Sequence, residues 1–166
     1  LELGGKSPAI VFADADLEDA IASSAYGIYY SAGQSCDARS RLLVEESAKD
    51  ELLEHYAAAT RAIVEGDPEA DGTQMGPLVS EGQRATVEGY IATGIAEGAA
   101  VLEGGGRPDD PALARGYYLR PTILDGCTNE MAVSREEIFG PVVSVITFRD
   151  EAEAIRLAND TPYGLS

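Results

Sequence analysis

A cysteine and two acidic segments are the residues of this chain best suited to chemistry. Cys36 closes Gly33-Gln34-Ser35-Cys36 and is approached through Ser31-Ala32. That small, polar approach is unlike a core strand. An exposed thiol can be tuned below its free pKa of about 8.5 and attack a carbonyl as thiolate. The competing reading is a packed residue, because free cysteine is among the most buried types. Glu2 stands in Glu2-Leu3-Gly4-Gly5-Lys6-Ser7-Pro8. A lone glutamate is ordinarily a solvated charge; here Gly4-Gly5 lets the backbone turn tightly and bring neighbouring groups close. Glu137 and Phe139 lie in Glu136-Glu137-Ile138-Phe139-Gly140-Pro141. There Gly140-Pro141 sets a turn able to aim both side chains inward; the alternative is a surface charge beside a core aromatic.

Other chemistries are poorly served. His55 is the single histidine and falls inside a helical pattern, far from Cys36, so no Cys-His hydrolase pair is expected. One histidine and two distant cysteines give no zinc spacing, and no metal site is expected. Gly4-Gly5-Lys6-Ser7 looks like the tail of a phosphate-binding loop, but Pro8 and an apolar strand follow where that motif needs a helix. Cys127, in Asp125-Gly126-Cys127-Thr128-Asn129, reads as structural.

The elements that must position these residues alternate. Ala9–Phe12, Arg41–Val44, Val101-Leu102, Thr122–Leu124 and Val142–Phe148 are apolar, β-branched runs and read as strands. Asp16 caps a helix from Leu17 to about Tyr30, at whose end Cys36 sits. Ser47 with Asp50 opens a helix to about Val64, and Ser80 with Gln83 forms a capping box ahead of a helix to about Glu97. Asp150 with Glu153 caps a last helix that Asn159 and Pro162 end. Strands separated by helices predict an α/β fold with a mainly parallel sheet flanked by helices.

In that order the motifs resemble the catalytic domain of the NAD(P)-dependent aldehyde dehydrogenase superfamily. The likeness continues through Gly66-Asp67-Pro68, Gly76-Pro77-Leu78, Gly116–Thr122 and Asn159–Leu165. It implies that Cys36 is the nucleophile and Glu2 the base that hydrolyses a thioester, their separation matching the family's. It also implies that Glu137 accepts hydrogen bonds from the nicotinamide ribose of NAD or NADP, while Phe139 packs beside the nicotinamide. Ser35 and Asp37 would line the substrate path. Asp37 either selects a polar or cationic aldehyde or turns away into a salt bridge with Arg39 or Arg41. Lys6, Arg41 and Glu136 read as ion-pair or packing residues.

The same resemblance makes residues 1–166 a partial catalytic domain. The nucleotide-binding domain and an oxyanion-hole asparagine are expected upstream, and the end of the domain with an oligomerisation strand downstream. It implies a homo-oligomer in the cytoplasm acting on a small-molecule aldehyde, and a fragment inactive by itself. Two other readings stay open: a cofactor-independent esterase using Cys36 and Glu2, and a non-catalytic relative.

Composition narrows the partners. Twenty-nine acidic against twelve basic residues give a formal charge of −17, which argues against nucleic acid and anionic membrane. No apolar run approaches the roughly 18 residues of a membrane span. Two cysteines in 166 residues make no disulfide framework and fit a reducing compartment.

Overall fold

In the computed structural model, which describes residues 1–165, the strand readings hold. The strands are β1 (Pro8–Val11), β2 (Arg41–Glu45), β3 (Ala100–Glu103), β4 (Thr122–Asp125) and β5 (Val142–Phe148). The helices are α1 (Leu17–Tyr29), α2 (Lys49–Arg61), α3 (Glu81–Glu97), α4 (Ala132–Arg135) and α5 (Glu151–Asn159). One five-stranded sheet has the order β1-β2-β5-β4-β3. The pairs β1/β2, β2/β5 and β5/β4 are parallel, and only the edge strand β3 runs antiparallel, against β4. The mainly parallel expectation is met.

Burial explains the composition of the central strands. Leu42, Leu43 and Val44 in β2 and Val142, Val143 and Val145 in β5 are almost wholly buried. A parallel strand covered on both faces reads as a continuous apolar run. The helices begin where side chains satisfy the free N–H groups of their first turns. Asp16, Ser80 and Asp150 accept from the N–H of Asp19, Gln83 and Glu153 at 3.1, 3.1 and 2.9 Å.

Three local expectations are corrected. Ser47 caps nothing: its hydroxyl donates to Glu45 Oε1 at 3.3 Å, and α2 starts at Lys49 without a side-chain cap and stops at Arg61. The capping box of α3 is half made, because the Gln83 amide turns to the carbonyls of Ile138 and Phe139 (3.1 and 2.9 Å). Cys36 is not at the end of α1. A short 3-10 turn, Tyr30–Gly33, intervenes, with Ser31, Ala32 and Gly33 all left-handed at φ 53°, 55° and 69°.

Topology sets the site. Glu2 precedes β1, Cys36 precedes β2 and Glu137 precedes β5, and these three strands are adjacent and parallel. Neighbouring strands lie about 4.8 Å apart, so segments distant in sequence meet at one edge of the sheet. This is the N-terminal edge, whereas open α/β sheets commonly bind ligands beyond the carboxyl ends of their strands.

Candidate active site

The cysteine is presented by a tight turn. Ala38 N–H donates to Ser35 O at 3.1 Å, which leaves Cys36 and Asp37 as the two corner residues. The thiol is half-buried and free. Cys36, Glu2, Gly4, Tyr163 and Leu165 line one pocket of about 360 Å³. The nucleophile and the base singled out in the sequence therefore open onto the same space. Glu2 is exposed, and its carboxylate makes no hydrogen bond among the described residues.

Glycine contacts join the segments. A Cβ on Gly5 would lie 1.8 Å from the Cys36 carbonyl oxygen, so only glycine lets the two backbones approach this closely. Gly5 N–H also donates to Glu137 Oε1 at 2.9 Å, which fixes that carboxylate beside the Glu2 segment. On the other side of the cysteine turn, a Cβ on Gly33 would meet Gly140 O at 2.1 Å. Phe139 is left-handed (φ 56°) and exposed, held through its carbonyl by Gln83. Cys36, Glu2, Glu137 and Phe139 thus come from three segments locked together backbone to backbone.

Residues that carried no site role in the sequence complete the wall. Arg41 is wholly buried and donates to Lys6 O, Leu157 O and Ala158 O, each at 2.9 Å, and to Asn129 Oδ1 at 3.2 Å. Two of those acceptors are carbonyls of the last turn of α5, where a cation is favoured. Ser7 Oγ donates to Leu165 O at 3.1 Å. Together these bonds bring Pro162–Leu165 against Cys36. Of the two readings of Lys6, Arg41 and Glu136, ion pairing or packing, Lys6 and Arg41 follow the second: both are buried, and none of the three forms a salt bridge among the described residues. Glu136 instead accepts from Tyr90 OH at 2.8 Å.

Ser35 and Asp37 flank the thiol, and the Ser35 hydroxyl donates to Asp37 Oδ1. Of the two alternatives for Asp37, the salt bridge with Arg39 or Arg41 does not form among the described residues. Arg39 donates to Ser23 Oγ at 2.8 Å and lays its stem over Gly27, while Arg41 is committed to carbonyls in the interior. His55 is exposed on α2, as its helical setting predicts. Among the described residues no acidic, cysteine and histidine group could hold a metal.

Two buried groups have displaced protonation equilibria. Burial, reinforced by Arg41, lowers the Lys6 pKa to about 7, and its ammonium nitrogen has no hydrogen-bond partner among the described residues. Burial raises Cys127 to about 11, with its Sγ against Leu124 O at 3.4 Å. Cys127 is the structural cysteine, as its sequence setting implies.

Comparison with known proteins agrees with this geometry. The sequence matches the aldehyde dehydrogenase family over residues 1–166. The chain belongs to the aldehyde dehydrogenase family. It is 48% identical over its full length to betaine aldehyde dehydrogenase of Brucella anthropi and 46% identical to the chloroplastic enzyme of Atriplex hortensis. It spans 34% and 33% of those relatives, about a third of their length. A crystal structure of betaine aldehyde dehydrogenase from Staphylococcus aureus in complex with NAD+ superposes with a TM-score of 0.96 at 43% identity, covering 98% of this chain and 32% of that one. HpcC from Thermus thermophilus gives a TM-score of 0.96 at 47% identity, covering 99% and 32%. No helix among the described residues is long and apolar enough to cross a membrane.

Proposed function

We propose that the complete enzyme carrying this chain oxidises an aldehyde to a carboxylic acid with NAD or NADP, through a covalent adduct on Cys36. One observation carries the reading: Cys36 and Glu2 share a pocket, and Gly5, between their segments, holds Glu137.

The residues present fit the cofactor. Gly5 N–H occupies Glu137 Oε1, and a Cβ on Gly4 would sit 2.8 Å from Oε2, so the glycine keeps that oxygen clear. Glu137 would hold the ribose hydroxyls and Phe139 would pack beside the nicotinamide. Bound NAD or NADP supplies the hydride acceptor that turns a thiohemiacetal on Cys36 into a thioester. The NAD+ complex of the Staphylococcus aureus relative supports NAD as the first cofactor to test.

The chain's own groups do the rest. The Cys36 thiolate adds to the aldehyde carbon, and the carbonyl electron pair moves to oxygen. The Cys36 N–H, which has no acceptor among the described residues, can stabilise that oxyanion. After oxidation, Glu2 takes a proton from water, which attacks the thioester carbonyl. The C–S bond breaks, the acid leaves and the thiolate returns. An unpinned Glu2 suits this role, because it must reach water without occupying the aldehyde's place. A homo-oligomer in the cytoplasm belongs to the same reading, and sedimentation of the complete polypeptide tests the assembly.

Glu137 separates this reaction from a cofactor-independent esterase. In the complete polypeptide, Glu137→Ala should cut aldehyde oxidation on the order of 10²-fold, as loss of a positioning contact commonly does. Hydrolysis of an activated ester by Cys36 should survive. Equal loss of both activities would remove the case for Glu137 as a cofactor ligand.

A further inference from the structure

Helix α3 contributes nothing to the wall of the pocket that Cys36 and Glu2 share, yet one of its faces grips the segment carrying Glu137 and Phe139. Gln83, Val87 and Tyr90 are spaced i, i+4 and i+7, so they lie on one side of the helix. Gln83 donates to Ile138 O and Phe139 O at 3.1 and 2.9 Å. Val87 is fully buried, and a Cβ on Gly140 would lie 2.5 Å from one of its methyl carbons. Tyr90 OH donates to Glu136 Oε2 at 2.8 Å. Each of the three side chains holds a different point of residues 136–140.

The backbone at Glu136 is extended (φ −105°, ψ 149°), and successive side chains of extended backbone leave on opposite sides. Glu136 accordingly reaches α3, while Glu137 takes the N–H of Gly5. The bond from Tyr90 is the only one the Glu136 side chain makes among the described residues, and no cation pairs with it. Burial, and then the bond to Glu136, push the Tyr90 pKa up to about 12, so the phenol remains a donor at neutral pH. Loss of the hydroxyl would release the Glu136 carboxylate. Gln83 would then be the one polar tie between α3 and residues 136–140 among the described residues.

We infer that Tyr90, acting through Glu136, is a positioning residue that holds Glu137 where the nicotinamide ribose of the cofactor needs it. The inference deepens the aldehyde-oxidising reading above and rests on it. Tyr90 serves the cofactor half of the site and not the acyl half, because Cys36 and Glu2 belong to other segments and share a pocket that Tyr90 does not line.

The test uses the complete polypeptide, the fastest substrate from a panel of aliphatic, aromatic and ammonium-bearing aldehydes, and whichever of NAD+ and NADP+ is reduced faster. Two rates are compared: kcat/KM for the oxidised cofactor at saturating aldehyde, and cofactor-free hydrolysis of p-nitrophenyl acetate by Cys36. Tyr90→Phe should lower the first by about threefold to tenfold, within the worth of one hydrogen bond to a charged group, and keep the second within about twofold. Glu136→Gln keeps an acceptor oxygen for the phenol and should stay near the parent. Glu136→Ala should match Tyr90→Phe, and the double variant should lose no more than either single one, because all three break the same bond. An unaltered first rate in Tyr90→Phe overturns the inference. So does an equal fall in both rates, or a Glu136→Gln variant as slow as Glu136→Ala. Glu137→Ala then shows which reading failed: a selective loss of cofactor-dependent oxidation there leaves aldehyde oxidation standing. If the parent oxidises none of the aldehydes with either cofactor, the functional reading and this inference fail together.

Discussion

Cys36 and Cys127 are the same residue in two settings. Cys127 follows β4, is 5% exposed, and has its N–H bonded to Val145 O and its sulfur against Leu124 O. Burial holds it as a neutral thiol up to about pH 11. Cys36 precedes β2, sits at the corner of a turn and opens onto a pocket shared with Glu2. The first fills space between strands. The second follows three left-handed residues and a glycine contact at its carbonyl, and is half-buried at the mouth of that pocket. On the proposed reading, what separates the two thiols is where the chain enters the sheet, not the residue type.

The largest expected effect breaks this pair apart. In the complete polypeptide, Cys36→Ser should lower aldehyde oxidation by about 10⁴-fold or more, as removal of a nucleophile does elsewhere. Cys127→Ser should keep kcat within a few-fold and show its cost in the melting temperature. Alkylation sharpens the comparison. At pH 8 only on the order of one Cys127 in a thousand is thiolate, so iodoacetamide should label Cys36 and leave Cys127 unmodified on peptide mapping. Equal labelling of the folded protein would end the distinction.

Gly5→Ala comes next. Its Cβ would strike the Cys36 carbonyl, a backbone atom that can move only with the whole turn. A shift of about 1 Å at a reacting centre can cost about 10²-fold, so kcat/KM should fall on that order while the fold survives by circular dichroism.

Lys6 should matter least to turnover and be read as stability. Its folded pKa of about 7 lies below the ordinary lysine value of 10.5, so the unfolded chain binds the proton more tightly. Stability should therefore rise between about pH 7 and 10.5 as the unfolded state loses that proton. Lys6→Met should flatten this dependence and stabilise the protein near pH 7 by on the order of a few kcal/mol. A melting curve with the same pH slope in parent and variant would contradict the assignment.

Much of this fold could be read from the residues alone, because apolar β-branched runs between capped helices leave few alternatives to a parallel α/β sheet. Short elements escaped. The single turn of α4 is too brief for a periodic pattern, and Ser47 was drawn from its capping role by Glu45. The Gln83 amide reached Phe139, fifty-six positions away, rather than its own helix end. At the site, the resemblance of their motifs to a family singled out Cys36, Glu2, Glu137 and Phe139, but their convergence depends on β1, β2 and β5 being neighbours. Strand order is set by tertiary packing and does not follow from spacing. The Arg41 bonds that seat Pro162–Leu165, and the freedom of Asp37 from Arg39, are likewise long-range outcomes.

The division of labour between Cys36 and Glu2 is tested most directly by trapping the intermediate. The complete polypeptide carrying Glu2→Gln is mixed with an aldehyde and NAD or NADP, quenched in acid, and its Cys36 peptide weighed by mass spectrometry. A rapid burst of reduced cofactor, a steady state slowed by about 10²–10⁴-fold and an acyl group on Cys36 are expected. An unmodified Cys36 with undiminished turnover would contradict the assignment of Glu2 as the base and Cys36 as the site of the thioester.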